Sequence, residues 1–109
     1  MSEEYTVLTT RDQLKQFVKA NKVVIVKFKA EWCGPCKRID PLFNNLMNQY
    51  KNIAYAVVDV DDGSGIASYL RIRSIPTMVS YLDGDVNDIL SSSSENDIKA
   101  FVSKANTLF

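Results

Sequence analysis

The sequence contains no histidine and only two cysteines among its 109 residues. Without imidazole there is no Ser-His-Asp or Cys-His nucleophile, no HExxH metalloprotease helix and no histidine-bearing zinc site. Two cysteines cannot complete a four-thiolate zinc site within one chain, so no metal is expected. Proton transfer is left to Asp, Glu, Lys, Tyr or Cys. Charge of one sign is also missing. Thirteen basic and thirteen acidic residues give a formal net charge of zero, which offers no electrostatic grip on nucleic acid or a membrane surface. Apolar runs are short, far from the ~18 residues of a membrane helix. The opening Met1-Ser2-Glu3-Glu4-Tyr5 is acidic and lacks the basic flank and apolar stretch of a signal peptide. A reducing cytosol is therefore the expected compartment, with no nucleic-acid or membrane partner. A chain of this length predicts one domain over residues 1–109, large enough to bury a core without staples.

What is present alternates between strand and helix. Residues 5–8 read as a short strand. Thr10 stands three residues before Gln13, a capping-box spacing, and Leu14, Phe17 and Val18 give a helix its apolar face. Val23-Val24-Ile25-Val26-Lys27-Phe28 is β-branched and nearly unbroken, as in a strand covered on both sides. After a short loop, Ile39, Leu42, Phe43, Leu46, Met47 and Tyr50 recur at helical spacing, with Pro41 predicting a kink. Residues 53–59 form a second buried strand, and Ile66, Ala67 and Leu70 mark a short helix. Two further strands flank Asp83-Gly84, a hairpin signal. Ser94, with Asp97 three residues on, caps a last helix bearing Ile98, Phe101, Val102 and Ala105. This order predicts an α/β fold, a mixed sheet with helices on both faces.

Both cysteines lie in Trp32-Cys33-Gly34-Pro35-Cys36-Lys37, between a central strand and the long helix. A ring this small gains only ~2 kcal/mol of loop entropy, which makes a poor structural staple. The spacing suits a dithiol that opens and closes. Cys33 falls where free N–H groups open a helix and favour thiolate by up to ~2 kcal/mol. Cys36, one turn further in, is the more shielded. Cys33 is therefore the expected nucleophile and Cys36 the resolving thiol. No cofactor is expected beyond the Cys33–Cys36 disulfide itself.

With these residues, the chain resembles the thioredoxin family along essentially its whole length. The resemblance rests on Ala30-Glu31-Trp32-Cys33-Gly34-Pro35-Cys36-Lys37, Pro41, Val58-Asp59-Val60-Asp61-Asp62, Ile75-Pro76-Thr77 and Gly84, and is strongest to the eukaryotic cytosolic branch. It implies a thioredoxin fold, with a five-stranded mixed sheet flanked by four helices. It implies a monomeric protein disulfide reductase acting on disulfide-containing proteins and re-reduced by an NADPH-dependent flavoprotein, thioredoxin reductase. It also implies a cis Ile75–Pro76 peptide facing the cysteines, and a substrate groove lined by Trp32, Gly34, Pro35, Ile75 and Pro76.

Three positions depart from the family pattern. Six residues before the first cysteine the family usually has a buried aspartate; this chain has Lys27, and Lys29 follows. Alternation puts both on the strand face of Val23 and Ile25. Either they snorkel past the sheet end or pair with a carboxylate such as Asp59. Or Lys27 stays charged beside the dithiol, favours thiolate and makes the protein more oxidising than its relatives. Lys27, Lys29 and Lys37 are thus the candidates for tuning the thiols. The third departure is Ser92, to within one residue, where the family commonly has a groove-lining glycine.

Asp59, Asp61 and Asp62 fail the EF-hand spacing and read as a strand end and helix cap. Two other function classes fit the dithiol motif: a binding or chaperone module using the same groove, and an iron–sulfur scaffold shared by two chains.

Overall fold

The computed structural model describes residues 5–109; the acidic opening stretch, residues 1–4, and the reading of it lie outside them. Five strands, β1 (Tyr5–Val7), β2 (Val23–Lys29), β3 (Ala54–Asp59), β4 (Thr77–Leu82) and β5 (Asp85–Ser91), form one sheet in the order β1-β3-β2-β4-β5. The first three pair in parallel, while β4 runs antiparallel to β2 and β5 antiparallel to β4. The expected mixed five-stranded sheet is present. The expected hairpin is too, with Asp83 at φ 52° and Gly84 at φ 90°.

The alternation along β2 divides the core in two. Val24, Val26 and Phe28 face one side, where they meet Leu14 and Val18 of α1 (Arg11–Ala20) and Ile66 of α4 (Ser64–Tyr69). Val23 and Ile25 face the other, against Phe43, Leu46 and Met47 of α3 (Asp40–Gln49) and Ile98, Phe101 and Val102 of α5 (Glu95–Asn106). The caps predicted for α1 and α5 are formed. Thr10 and Gln13 make the reciprocal capping box of α1, and the Ser94 hydroxyl accepts the Asp97 N–H at 3.3 Å. No described helix is long and apolar enough to cross a membrane.

The four expected helices appear as five helical segments, because the long one is divided into α2 (Gly34–Arg38) and α3 at Ile39. Pro41 has no N–H to offer the preceding turn. The Ile39 N–H instead bonds Pro35 O and Lys37 O, with φ −89° and ψ −6°. The expected kink falls here, and it interrupts the helix for the single residue Ile39. Beyond it the Phe43 N–H resumes the helical pattern to Ile39 O at 2.9 Å.

Candidate active site

Topology brings the site together. β2 and β3 are parallel, so their C-terminal ends, carrying Lys29 and Asp59, lie side by side. β4 is antiparallel to β2, so its first residue, Thr77, arrives at the same edge opposite Phe28. The cysteine loop leaves β2 there, and Ile75-Pro76 enters β4 there. Segments some forty residues apart therefore meet at one sheet edge: Cys33 Sγ lies 4.0 Å from Ile75 O. The Ile75–Pro76 peptide is cis, as the resemblance implied.

Cys33 and Cys36 are joined in a disulfide. Cys33 is the N-cap of α2, and its sulfur accepts the Cys36 N–H at 3.2 Å. That bond uses one of the donors a helix start leaves free, and it is stronger to a thiolate than to a thiol. Cys33 is 5% and Cys36 2% exposed, both packed with Ala30 against Val60 and Ile75. Gly34 and Pro35 are exposed at the first turn of α2, and open space surrounds the position a Gly34 side chain would take. Pro76 is buried and Ile75 half-buried.

Trp32 is 70% exposed, and its indole N–H donates to Asp61 Oδ2 at 3.0 Å. Asp61 was legible only as part of an acidic run; its use as the anchor of Trp32 was not. Asp59 Oδ1 accepts the backbone N–H groups of Asp61 and Asp62 at 2.8 and 3.3 Å, which shapes the turn. None of these carboxylates caps α4, so the helix-cap expectation for them is corrected. The N-cap is Gly63, where a Cβ would meet Val58 Cγ1 at 2.7 Å and Asp59 O at 3.2 Å.

Lys27 is 6% exposed and does not reach past the sheet end. It also does not pair with Asp59, which stands opposite Lys29 in the strand register. Its ammonium donates to Asp40 Oδ1 at 2.6 Å and lies 4.8 Å from the centre of the Phe43 ring. Asp40 is thus a site neighbour that sequence reasoning missed, thirteen residues away and on the first turn of α3. Lys29 bonds Glu31 at 2.6 Å, and that hydrogen bond, opposed by partial burial, raises its pKa. Lys37 is exposed beside Cys36, with no ion pair among the described residues.

The Ser92 hydroxyl donates to Asp97 at 2.9 Å and accepts the Ser94 N–H at 3.0 Å. Ser91, one residue earlier, pairs with Thr77 in the register and has its hydroxyl 2.7 Å from that of Thr77. Carried one step further, that antiparallel register sets Ser92 opposite Pro76. Arg38 of α2 reaches across to Ser93 Oγ at 3.3 Å. Among the described residues, no group of three or more Cys, Asp or Glu side chains could hold a metal ion.

The chain is similar to known proteins in sequence and in fold. The chain is 41% identical to thioredoxin of Mycoplasmoides gallisepticum over 74% of its length and 81% of that protein. It is 35% identical to thioredoxin of Coprinus comatus over 91% of its length and 95% of the relative. The solved structure of Plasmodium falciparum thioredoxin superposes with a TM-score of 0.87 at 33% identity, covering 91% of this chain and 97% of that one. Fasciola hepatica thioredoxin gives 0.88 at 30% identity, covering 92% and 98%. The thioredoxin family profile matches residues 5–104, and with the fold and the Cys33–Cys36 disulfide in agreement, the chain belongs to the thioredoxin family of thiol–disulfide oxidoreductases.

Proposed function

We propose that this protein reduces disulfides in other proteins, with Cys33 as attacking thiolate and Cys36 as resolving thiol. The observation that carries the reading is the Cys36 N–H held 3.2 Å from Cys33 Sγ at the start of α2. In the reduced protein that donor favours negative charge on Cys33 over Cys36. The Cys33 thiolate attacks one sulfur of the substrate disulfide, forming a mixed disulfide and releasing the other sulfur as a thiolate that takes up a proton. Cys36, having given up its own proton, then attacks Cys33 Sγ. The second substrate sulfur leaves with the electron pair, and the Cys33–Cys36 disulfide of this structure results. Two electrons have passed to the substrate.

Trp32, Gly34, Pro35, Ile75 and Pro76 line the groove in this reading, and the Ile75 backbone beside Cys33 offers an extended substrate main-chain pairing. The cycle closes when a dithiol donor reduces the disulfide; an NADPH-dependent flavoprotein reductase is the donor class that the family membership suggests. Net reduction requires a reducing compartment such as the cytosol. Lys27 enters as a modifier of the potential, through a charge that Asp40 offsets.

Reduction of a protein disulfide, followed in wild type, Cys33→Ser and Cys36→Ser, tests the assignment. Cys33→Ser should abolish turnover, and Cys36→Ser should stall as a mixed disulfide with substrate. Full activity in Cys33→Ser would overturn it. Partner binding without turnover in the wild type would instead mark a binding module.

A further inference from the structure

The segment between α4 and β4 carries two arginines, Arg71 and Arg73, both exposed. Helix α4 ends in paired bonds, Ile72 N–H to Ala67 O at 2.9 Å and Arg71 N–H to Ser68 O at 3.1 Å. This is the Schellman arrangement, whose turning residue takes the left-handed conformation and is usually glycine. Here that residue is Arg71, at φ 58°. A long cationic side chain occupies a position whose backbone favours having none. Ile72 packs into the core between the two arginines, which fixes the loop beneath them. Arg73 stands two residues before Ile75, within about 7 Å of it along the chain, and Ile75 O is 4.0 Å from Cys33 Sγ.

Neither arginine has a carboxylate within ion-pair distance among the described residues. Four acids of the site are engaged elsewhere: Glu31 with Lys29, Asp40 with Lys27, Asp61 with the Trp32 indole, and Asp59 with the turn amides. Lys37, on the other side of the disulfide, is equally unpaired. Arg71, Arg73 and Lys37 thus lack a carboxylate partner among the described residues, and a planar guanidinium is suited to gripping a carboxylate through two bonds.

We propose that Arg71 and Arg73 form a cationic wall of the substrate groove that selects protein partners with acidic side chains next to the target disulfide. The proposal rests on the disulfide-exchange reading and names its substrate class. An aspartate or glutamate flanking the substrate cysteine would meet Arg73 as the cysteine reaches Cys33.

Two peptides test it, identical except for aspartates or lysines on either side of an internal disulfide. At low salt the wild type should show at least about a fivefold higher kcat/KM for the aspartate peptide, the ratio falling as salt shortens the screening length. Arg71→Gly with Arg73→Gln should bring the ratio to about one, and Arg71→Glu with Arg73→Glu should invert it. An inverted preference is something a merely structural role would not produce. A wild-type ratio of one or below, or a ratio that survives both double substitutions, overturns the proposal. The disulfide-exchange reading is checked separately with neutral hydroxyethyl disulfide. Should that not be reduced, the charge preference is read from binding of serine-for-cysteine versions of both peptides, followed by Trp32 fluorescence. The same fivefold ratio supports the proposal there, and equal binding overturns it.

Discussion

The Lys27 ammonium lies 2.6 Å from the Asp40 carboxylate, tying the strand that feeds the cysteine loop to the first turn of α3. The two ends of this pair differ: the Lys27 side chain is 7% exposed, that of Asp40 49%. Asp40 can be hydrated when alone, whereas Lys27 cannot. Asp40→Asn leaves a buried cation with a neutral partner and should destabilise the fold by ~1–3 kcal/mol. Lys27→Met should cost less, because the abandoned carboxylate turns to water.

The same asymmetry predicts opposite shifts in redox potential. An uncompensated Lys27 cation favours thiolate and so the reduced form, which makes the protein more oxidising. Asp40→Asn should therefore raise the potential by tens of millivolts, where about 30 mV corresponds to ~1.4 kcal/mol. Lys27→Met should lower it, and Lys27→Asp, which sets two carboxylates together, should lower it most. Equilibration with glutathione buffers measures all three. Equal potentials in wild type and Lys27→Asp would remove Lys27 from the account of the potential.

Arg71 at φ 58° predicts a substitution that stabilises. The left-handed conformation costs a side-chain-bearing residue ~1–2 kcal/mol. Glycine relieves this but gains unfolded-state freedom worth ~0.4–1 kcal/mol. Arg71→Gly should leave a net gain of ~0.5–1 kcal/mol, visible as a higher urea midpoint with an unchanged slope. A lower midpoint would mean that the arginine makes compensating contacts in the folded protein.

Gly63 carries the opposite expectation. A methyl group there would press on Val58 Cγ1 at 2.7 Å, and Val58 is fully buried and stiff at χ1. The backbone oxygen of Asp59 at 3.2 Å closes the other side. Gly63→Ala should destabilise by ~1–3 kcal/mol through overpacking. It should also loosen the turn that presents Asp61 to Trp32, so indole fluorescence should change with it. A variant as stable as wild type would show that β3 can shift at this point.

How far the sequence could be read depended on the range of each contact. The elements, the caps of α1 and α5 and the hairpin follow from neighbours within about four residues, and each was legible from periodicity or capping signals. The dithiol was legible because its chemistry is contained in four residues. The partner of Lys27 was not, because it depends on register: Lys27 pairs across the sheet with Val57, which puts Asp59 opposite Lys29 and leaves Lys27 to the helix above it. The register of the serine run was hidden for a related reason. Within a serine run nothing in composition marks which one faces Thr77, and the β4–β5 register decides it. Pro41 announced a disturbance, but whether a helix bends or breaks depends on where the freed turn finds its bonds.

High pH offers the remaining test, and two buried tyrosines set its sign. Burial pushes the Tyr81 hydroxyl up to about 12, with the nearby Tyr69 adding to it, and burial also raises Tyr55. In the unfolded chain a tyrosine ionises near pH ~10. Above that the unfolded state loses protons that the folded state retains, so stability falls as pH rises from about 10 towards 12. Lys29, raised by its bond to Glu31, acts in the same direction, but it is too exposed to contribute much. Tyr81 is the cleaner probe. The Tyr55 hydroxyl donates to Tyr50 O at 2.9 Å, so its removal also weakens the fold at neutral pH. The Tyr81 hydroxyl makes no such bond among the described residues. Tyr81→Phe should leave neutral stability nearly unchanged and move the alkaline unfolding midpoint to higher pH, as followed by far-ultraviolet circular dichroism. An unmoved midpoint would mean that Tyr81 reaches solvent before the sheet opens, and that Tyr55 alone sets the alkaline limit.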